Sequence, residues 1–320
     1  MGLKCQKENS TDLRLDISQS AWHSQTMHRV FLYLFLWLAG FGTAAALDAP
    51  DAHTPLPRLV SLNMCADPYL MAFADKSQIL ALTAFSKQAE LSPFTHLARA
   101  YPTGTGSIED LLAQKPDLVI TSAYSDPNRL KLLAAAGIEV LQLDAAQSYA
   151  QTRGEIIRLG RAIGRLPQAR AYLRDLDAAV KAHSRTPTDT RRPRLVNFQR
   201  RGLSVGEGHI VDDIIALAGA ENATRQASGG HRALMVLSLE TLPGLQADFL
   251  LTGTPVSEDA KPVDRGSDIL SHPALLKFFP PEKRIILPDN LVTCAGAATP
   301  LALARLRAAL DAVAGKTNPN

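Results

Sequence analysis

Apolar positions along this chain switch between short continuous runs and a three- to four-residue rhythm, and the switching predicts β-α units. RLVSLN (Arg58 to Asn63) reads as a buried strand and CADPYLMAFAD as the helix behind it; a second strand is expected near Ile79 to Ala84, followed by a polar loop from Phe85 to Tyr101. LKLLAAAG is a helix closed by Gly137, and IEVLQL is the strand after it. From about Ser148 to Ser184 strand signals stop, while Ile156, Leu159, Ile163, Leu173, Leu176 and Val180 recur at helical spacings around a break at Gly164 to Pro167. The second of these helices, Pro167 to about His183, would reach roughly 25 Å, enough to cross between two lobes. RPRLVNFQ (Arg192 to Gln199) then reopens the strand pattern. It leads through a turn at Gly206 and Gly208, a helix from Ile210 to Ala218, a strand at Arg284 to Leu287 and a last helix over about Pro300 to Ala314.

One stretch occurs twice. Ser107 to Thr121 reads SIEDLLAQKPDLVIT and Ser238 to Thr252 reads SLETLPGLQADFLLT; without a gap Ser107 pairs with Ser238, Glu109 with Glu240, Leu111 with Leu242, Asp117 with Asp248 and Thr121 with Thr252. The Arg-Leu-Val of Arg58, Leu59 and Val60 likewise returns at Arg194, Leu195 and Val196. The expected fold is therefore α/β, with two Rossmann-like lobes of parallel sheet bridged by a long α-helix and a cleft between them. The expected division is residues 1–46 as an upstream extension and leader, 58–147 as an N-terminal lobe, 148–184 as a helical connector and 191–315 as a C-terminal lobe.

The leader reading comes from MHRVFLYLFLWLAGFGTAAA (Met27 to Ala46), a basic start, an apolar core of roughly twelve residues and small residues at the end. The apolar run is shorter than the ~20 residues a bilayer crossing needs, so a cleaved signal with its junction near Ala46 and a periplasmic product are expected. The rest is ordinary globular composition: 46% hydrophobic and 20% charged residues over 320, with a dispersed net charge of +3 that implies no nucleic acid partner. Downstream of the leader only Cys65 and Cys294 remain. In an oxidising compartment they are a candidate disulfide; the alternative is two buried thiols.

These residues resemble a known family, the periplasmic substrate-binding proteins of ABC importers for cobalamin and ferric siderophores, whose lobes a long helix bridges. The resemblance covers about Arg58 to Leu310. It is carried by RLVSLNMCAD, TGTGSIEDLLAQKPDLVI, the helix through IIRLGRAIGR, the second SLE segment and NLVTCAGAATPLALARL. It implies a monomeric receptor that performs no chemistry, holds no cofactor, and hands a metal chelate to an ABC permease with its ATPase. It also implies that Glu109 and Glu240 are the rim carboxylates that dock on permease cations. A Glu two residues after a Ser is also an ordinary helix start, which is the plainer reading of either one alone.

Ligand in such a fold meets the loops after parallel strands. That rule selects Asn63, Met64 and Cys65, then Phe85 and Ser86, Thr103 to Thr105 (Thr105 foremost), and Tyr124. In the second lobe it selects Arg200, Arg201, Gly206, His231, Arg232 and the Thr293 to Ala295 segment. Adjacent arginines opposite an aromatic ring suit an anionic iron chelate, so a ferric siderophore is the expected ligand, with a corrinoid or haem as the alternative. The histidines downstream of the leader are scattered without a close pair, which disfavours a bare metal site. A two-lobed enzyme such as a chelatase is the competing class. Against it, the sequence holds no Walker loop and no CxxC.

Overall fold

Near-continuous burial along the short apolar runs, with successive side chains facing opposite sides, sets the layers. In the first, β1 (Leu59–Ser61) leads into α1 (Asp67–Phe73), then β2 (Ile79–Thr83), β3 (Thr103–Gly104), α2 (Ile108–Gln114), β4 (Leu118–Ser122), α3 (Pro127–Ala135) and β5 (Glu139–Leu143). The strands are parallel and ordered β3-β2-β1-β4-β5. Leu59, Leu118 and Ile120 pack on one face with Leu70 of α1, while Val60, Val119 and Ala81 pack on the other with Leu111 of α2 and Leu133 of α3. Both faces are covered, which is why these strands read as continuous apolar runs.

This computed structural model describes residues 55–144, 147–186, 192–227, 233–253 and 266–317. The expected signal segment with its Ala46 junction, and the pair His231 and Arg232, lie outside the described residues. No described helix is long and apolar enough to cross a membrane.

Two helices follow β5, α4 (Tyr149–Ala162) and α5 (Leu166–His183). Gly160 lets them cross closely, since a Cβ there would overlap that of Ala169. Helix α5 has 18 residues, about 27 Å. Its Ala169, Leu173 and Leu176 belong to the apolar cluster of the first sheet, and its Val180 belongs to the cluster of the second. One helix thus contributes to both cores.

The second half contains β6 (Arg194–Asn197), β7 (Leu203–Val205), α6 (Ile210–Leu217), β8 (Glu221–Asn222), β9 (Leu234–Val236), β10 (Phe249–Thr252), α7 (Pro273–Phe278), β11 (Arg284–Ile286) and α8 (Thr299–Thr317). Four strands form a parallel sheet in the order β11-β10-β6-β8. The other two, β7 and β9, pair antiparallel as a separate ribbon that the strand pattern did not anticipate.

The internal repeat is a repeat of geometry. Asp117 accepts the backbone N–H of Arg58 at 2.8 Å, and Asp248 accepts that of Arg194 at 2.9 Å. Each carboxylate ties the start of its own strand to the start of the neighbouring one. The copies differ in the helix between: residues 108–114 are α-helical, but Leu239–Leu245 is a 3-10 helix with Pro243 inside it. Proline lacks the N–H that an α-helical interior requires.

Candidate functional site

In a sheet ordered β3-β2-β1-β4-β5 the direction of winding reverses between β1 and β4, and the crevice opens there. Asn63 sits at that point. Its Oδ1 accepts the N–H of Cys65 at 2.9 Å and its Nδ2 donates to the carbonyl of Thr121 at 3.3 Å, so one amide fixes the β1 loop to the end of β4. Beside it, Ser122 ends β4 with Tyr124 just beyond, and Leu143 ends β5 with Asp144 after it. These residues form one wall of a cavity of about 390 Å³, which Thr152 and Glu155 of α4 extend.

The opposite wall comes from the second half of the chain. Gly208, His209 and Ile210 supply it at the start of α6, Ala233 and Leu234 at β9, and Val292, Thr293 and Cys294 before α8. Its volume falls in the ordinary range of small-molecule sites, roughly 300–1,000 Å³.

The charges of the walls are acidic. Glu155 takes Arg158 Nη1 on both carboxylate oxygens at 2.8 Å and also accepts the N–H of Asp144 at 3.2 Å. Among the described residues no lysine or arginine lines the cavity. His209 caps α6 by accepting the N–H of Val211 on Nδ1 at 3.2 Å. Burial pushes its pKa down against a smaller opposing pull from Asp212, so the ring is neutral near pH 7. With Nδ1 accepting, the proton of the neutral ring resides on Nε2, which is left to donate. Tyr124 is 84% exposed and open to a ligand at the mouth.

Several residues selected from the sequence do not line this cavity. Phe85 and Ser86 follow β2, and Thr105 follows edge strand β3, on the side of β1 away from the crevice. Phe85 is exposed, Ser86 is buried with its hydroxyl donating to the carbonyl of Thr83 at 2.7 Å, and Thr105 hydrogen-bonds Asp110. Met64 lines a much smaller gap of about 10 Å³ behind Cys65. Arg200 acts on Asp289, whose pKa burial raises and this guanidinium lowers. Arg201 takes a left-handed turn at φ 58° and donates its N–H to the carbonyl of Gly266 at 2.7 Å. Gly206 donates its N–H to the carbonyl of Ala233 as part of the ribbon. Of the residues selected, Asn63, Cys65, Tyr124, Thr293 and Cys294 come together at the cavity.

Asp144, Thr152, Glu155 and His209 were missed. Asp144 directly follows a strand and obeys the loop rule, so it was legible; Thr152 and Glu155 reach the site from a helix that the rule ignores. His209 follows a glycine-rich turn at a helix start, a position from which a side chain can face a cleft.

Cys65 and Cys294 are bonded as a disulfide, with Cα atoms 5.0 Å apart across 229 residues of sequence. Glu109 and Glu240 are both exposed, each in the first turn of its helix. A hydrogen bond from Ser238 holds the Glu240 carboxyl below the usual carboxylate range.

Comparison with known proteins agrees with this architecture. Among solved structures, the haem-binding protein HutB of Vibrio cholerae superposes with a TM-score of 0.64 at 18% identity, covering 79% of this chain and 98% of that one. The apo haem-binding protein RhuT of Roseiflexus sp. RS-1 gives 0.62 at 23%, covering 81% and 100%. BhuT, a periplasmic haem-binding protein in complex with two haems, gives 0.61 at 20%, covering 80% and 98%. At these identities the likeness establishes the fold. No curated protein matches the sequence. The family model described as periplasmic binding protein matches residues 59–289, and the chain belongs to that family.

Proposed function

We propose that this protein is the solute receptor of an ABC importer and that it captures a haem-type iron tetrapyrrole in the cavity between its two sheets. The observation that carries this reading is the lining itself: a largely apolar slot, free of cations among the described residues, with a tyrosine and a neutral histidine on facing walls. A flat, largely apolar macrocycle suits such a slot better than a siderophore complex charged all round, because the lining holds no arginine or lysine among the described residues and Arg158 is already paired with Glu155 and Asp144. Tyrosine is a known axial donor to haem iron. Tyr124 fills that role here, and His209 donates from Nε2 to an acceptor on the ligand. The haem-binding neighbours support the same choice.

Each sheet with its helices acts as one lobe, and α5 limits how far the lobes can separate. Glu109 and Glu240, one on each lobe and both exposed, present matched negative charge to basic residues of a permease. The signal segment directs the chain to the periplasm.

Titration of the purified protein by absorbance and calorimetry against ferric haem, cobalamin and a ferric hydroxamate tests the assignment. Saturable, stoichiometric haem uptake is expected, with a tyrosinate-to-iron charge-transfer band that disappears in Tyr124→Phe. Binding of the hydroxamate alone would return the siderophore reading, and conversion of any ligand to product would make the protein an enzyme.

A further inference from the structure

The two half-cystines occupy a place that no other residue shares. Cys65 and Cys294 both line the large cavity, and both also line the gap of about 10 Å³ behind it. No other residue among the linings borders both spaces, so the disulfide is the partition between them. Its ends belong to different sheets. Cys65 is fixed to the first through the Asn63 amide, and Cys294 precedes Ala295, which is buried in the core of the second.

The neighbouring contacts concentrate at the same seam. Ala295 and Gly296 both take φ 39°, a bend that carries the loop against α1, and the Tyr69 phenol occupies the space where a side chain on Gly296 would go. Tyr69 lies one turn along from Cys65. Asn290 donates to the carbonyl of Ala89 at 2.8 Å, a further link between the two halves. Tyr69 lines the cavity as well, but of these links only the disulfide is covalent.

We infer that the Cys65–Cys294 disulfide is the floor of the ligand site and a determinant of affinity, fixing cavity depth and the spacing of the walls before ligand arrives. The inference rests on reading this cavity as the ligand site. Reduction removes the one covalent link between the two loops, lets them separate and the floor open into the gap behind, and so takes a pre-organised surface from the site. Forming the bond takes two electrons and two protons from the thiols. In an exported chain these pass by thiol–disulfide exchange to a disulfide-bearing oxidant, which leaves as the dithiol. The oxidised protein is the tighter-binding form.

The test compares oxidised protein, protein reduced with a phosphine, and the Cys65→Ser/Cys294→Ser variant, all well below their unfolding temperatures. Ferric haem is the probe, and hydrogen exchange is followed over 63–69 and 292–298. Reduced protein and variant are expected to retain the exchange protection of the sheet strands, to exchange faster in those two segments, and to bind haem about ten-fold or more weakly. Equal haem affinity in all three forms would overturn the inference. If oxidised protein takes up no haem, the ligand assignment falls, and the inference is then decided by exchange alone: unchanged exchange in the two segments on reduction would overturn it.

Discussion

Lys115 and Gln246 take the same left-handed backbone turn, φ 49° in each, at the same place in the two copies of the repeat. Each ends its helix and hands the chain to the Asp that ties two strands together, Asp117 in one half and Asp248 in the other. A side chain in this conformation costs roughly 1–2 kcal/mol, and glycine would remove that cost while losing about 0.5–1 kcal/mol in unfolded-chain entropy. Lys115→Gly and Gln246→Gly should each stabilise the protein by about 0.5–1 kcal/mol, additively, in thermal unfolding. Destabilisation by either would mean that its side chain does more than bridge a turn.

Asp67 makes stability depend on pH. It is wholly buried beside β2; its Oδ2 accepts from the Thr83 hydroxyl at 2.6 Å and from the Thr83 N–H at 3.2 Å, while Oδ1 is buried without a hydrogen-bond partner. Burial pushes its pKa up to about 7, against the nearby Ser61 hydroxyl and the Thr83 hydrogen bonds, which lower it. The native state therefore holds a proton that the unfolded chain releases near pH 4. The associated stability is complete below about pH 4 and is lost as pH rises through about 7. Between those limits wild type should lose about 1 kcal/mol per pH unit relative to Asp67→Asn, read from urea midpoints at pH 5, 6, 7 and 8. Parallel curves for the two proteins would rule this out.

Gly296 cannot be enlarged. A Cβ there would overlap the Tyr69 hydroxyl, at a φ that L-residues rarely adopt. Gly296→Ala should cost roughly 2–4 kcal/mol. On a Tyr69→Phe background the atom responsible is gone, so the same substitution should cost at least about 1 kcal/mol less. A full penalty in both backgrounds would place the strain in the backbone alone.

The rim carboxylates separate delivery from capture. Glu109→Ala and Glu240→Ala should leave haem affinity within about two-fold, while the double variant loses most haem-dependent growth or uptake in cells with the cognate importer. An affinity loss of the same size as the uptake loss would put the glutamates in the ligand site.

Much of this was legible from pattern alone. The repeat marked Asp117 and Asp248, and the structure gives both the same hydrogen bond; the helical run before Ser184 marked the segment that joins two cores. What was not legible depended on strand order. Phe85, Ser86 and Thr105 satisfy a rule about the ends of strands, but only the sheet order shows that β2 and β3 lie on the wrong side of β1. Arg200 and Arg201 suggested an anionic ligand as neighbours in sequence, whereas Arg200 acts on Asp289 and Arg201 turns towards Gly266. Glu155 reaches the cavity from α4, and no strand pattern points to it.

Iron anomalous diffraction from crystals of the haem-saturated protein locates the bound ligand. One strong peak per chain is predicted in the cavity, within bonding distance of the Tyr124 oxygen and on the cavity side of the Cys65–Cys294 bridge. A peak on the outer surface, or none in crystals whose protein carries stoichiometric haem in solution, would contradict the account.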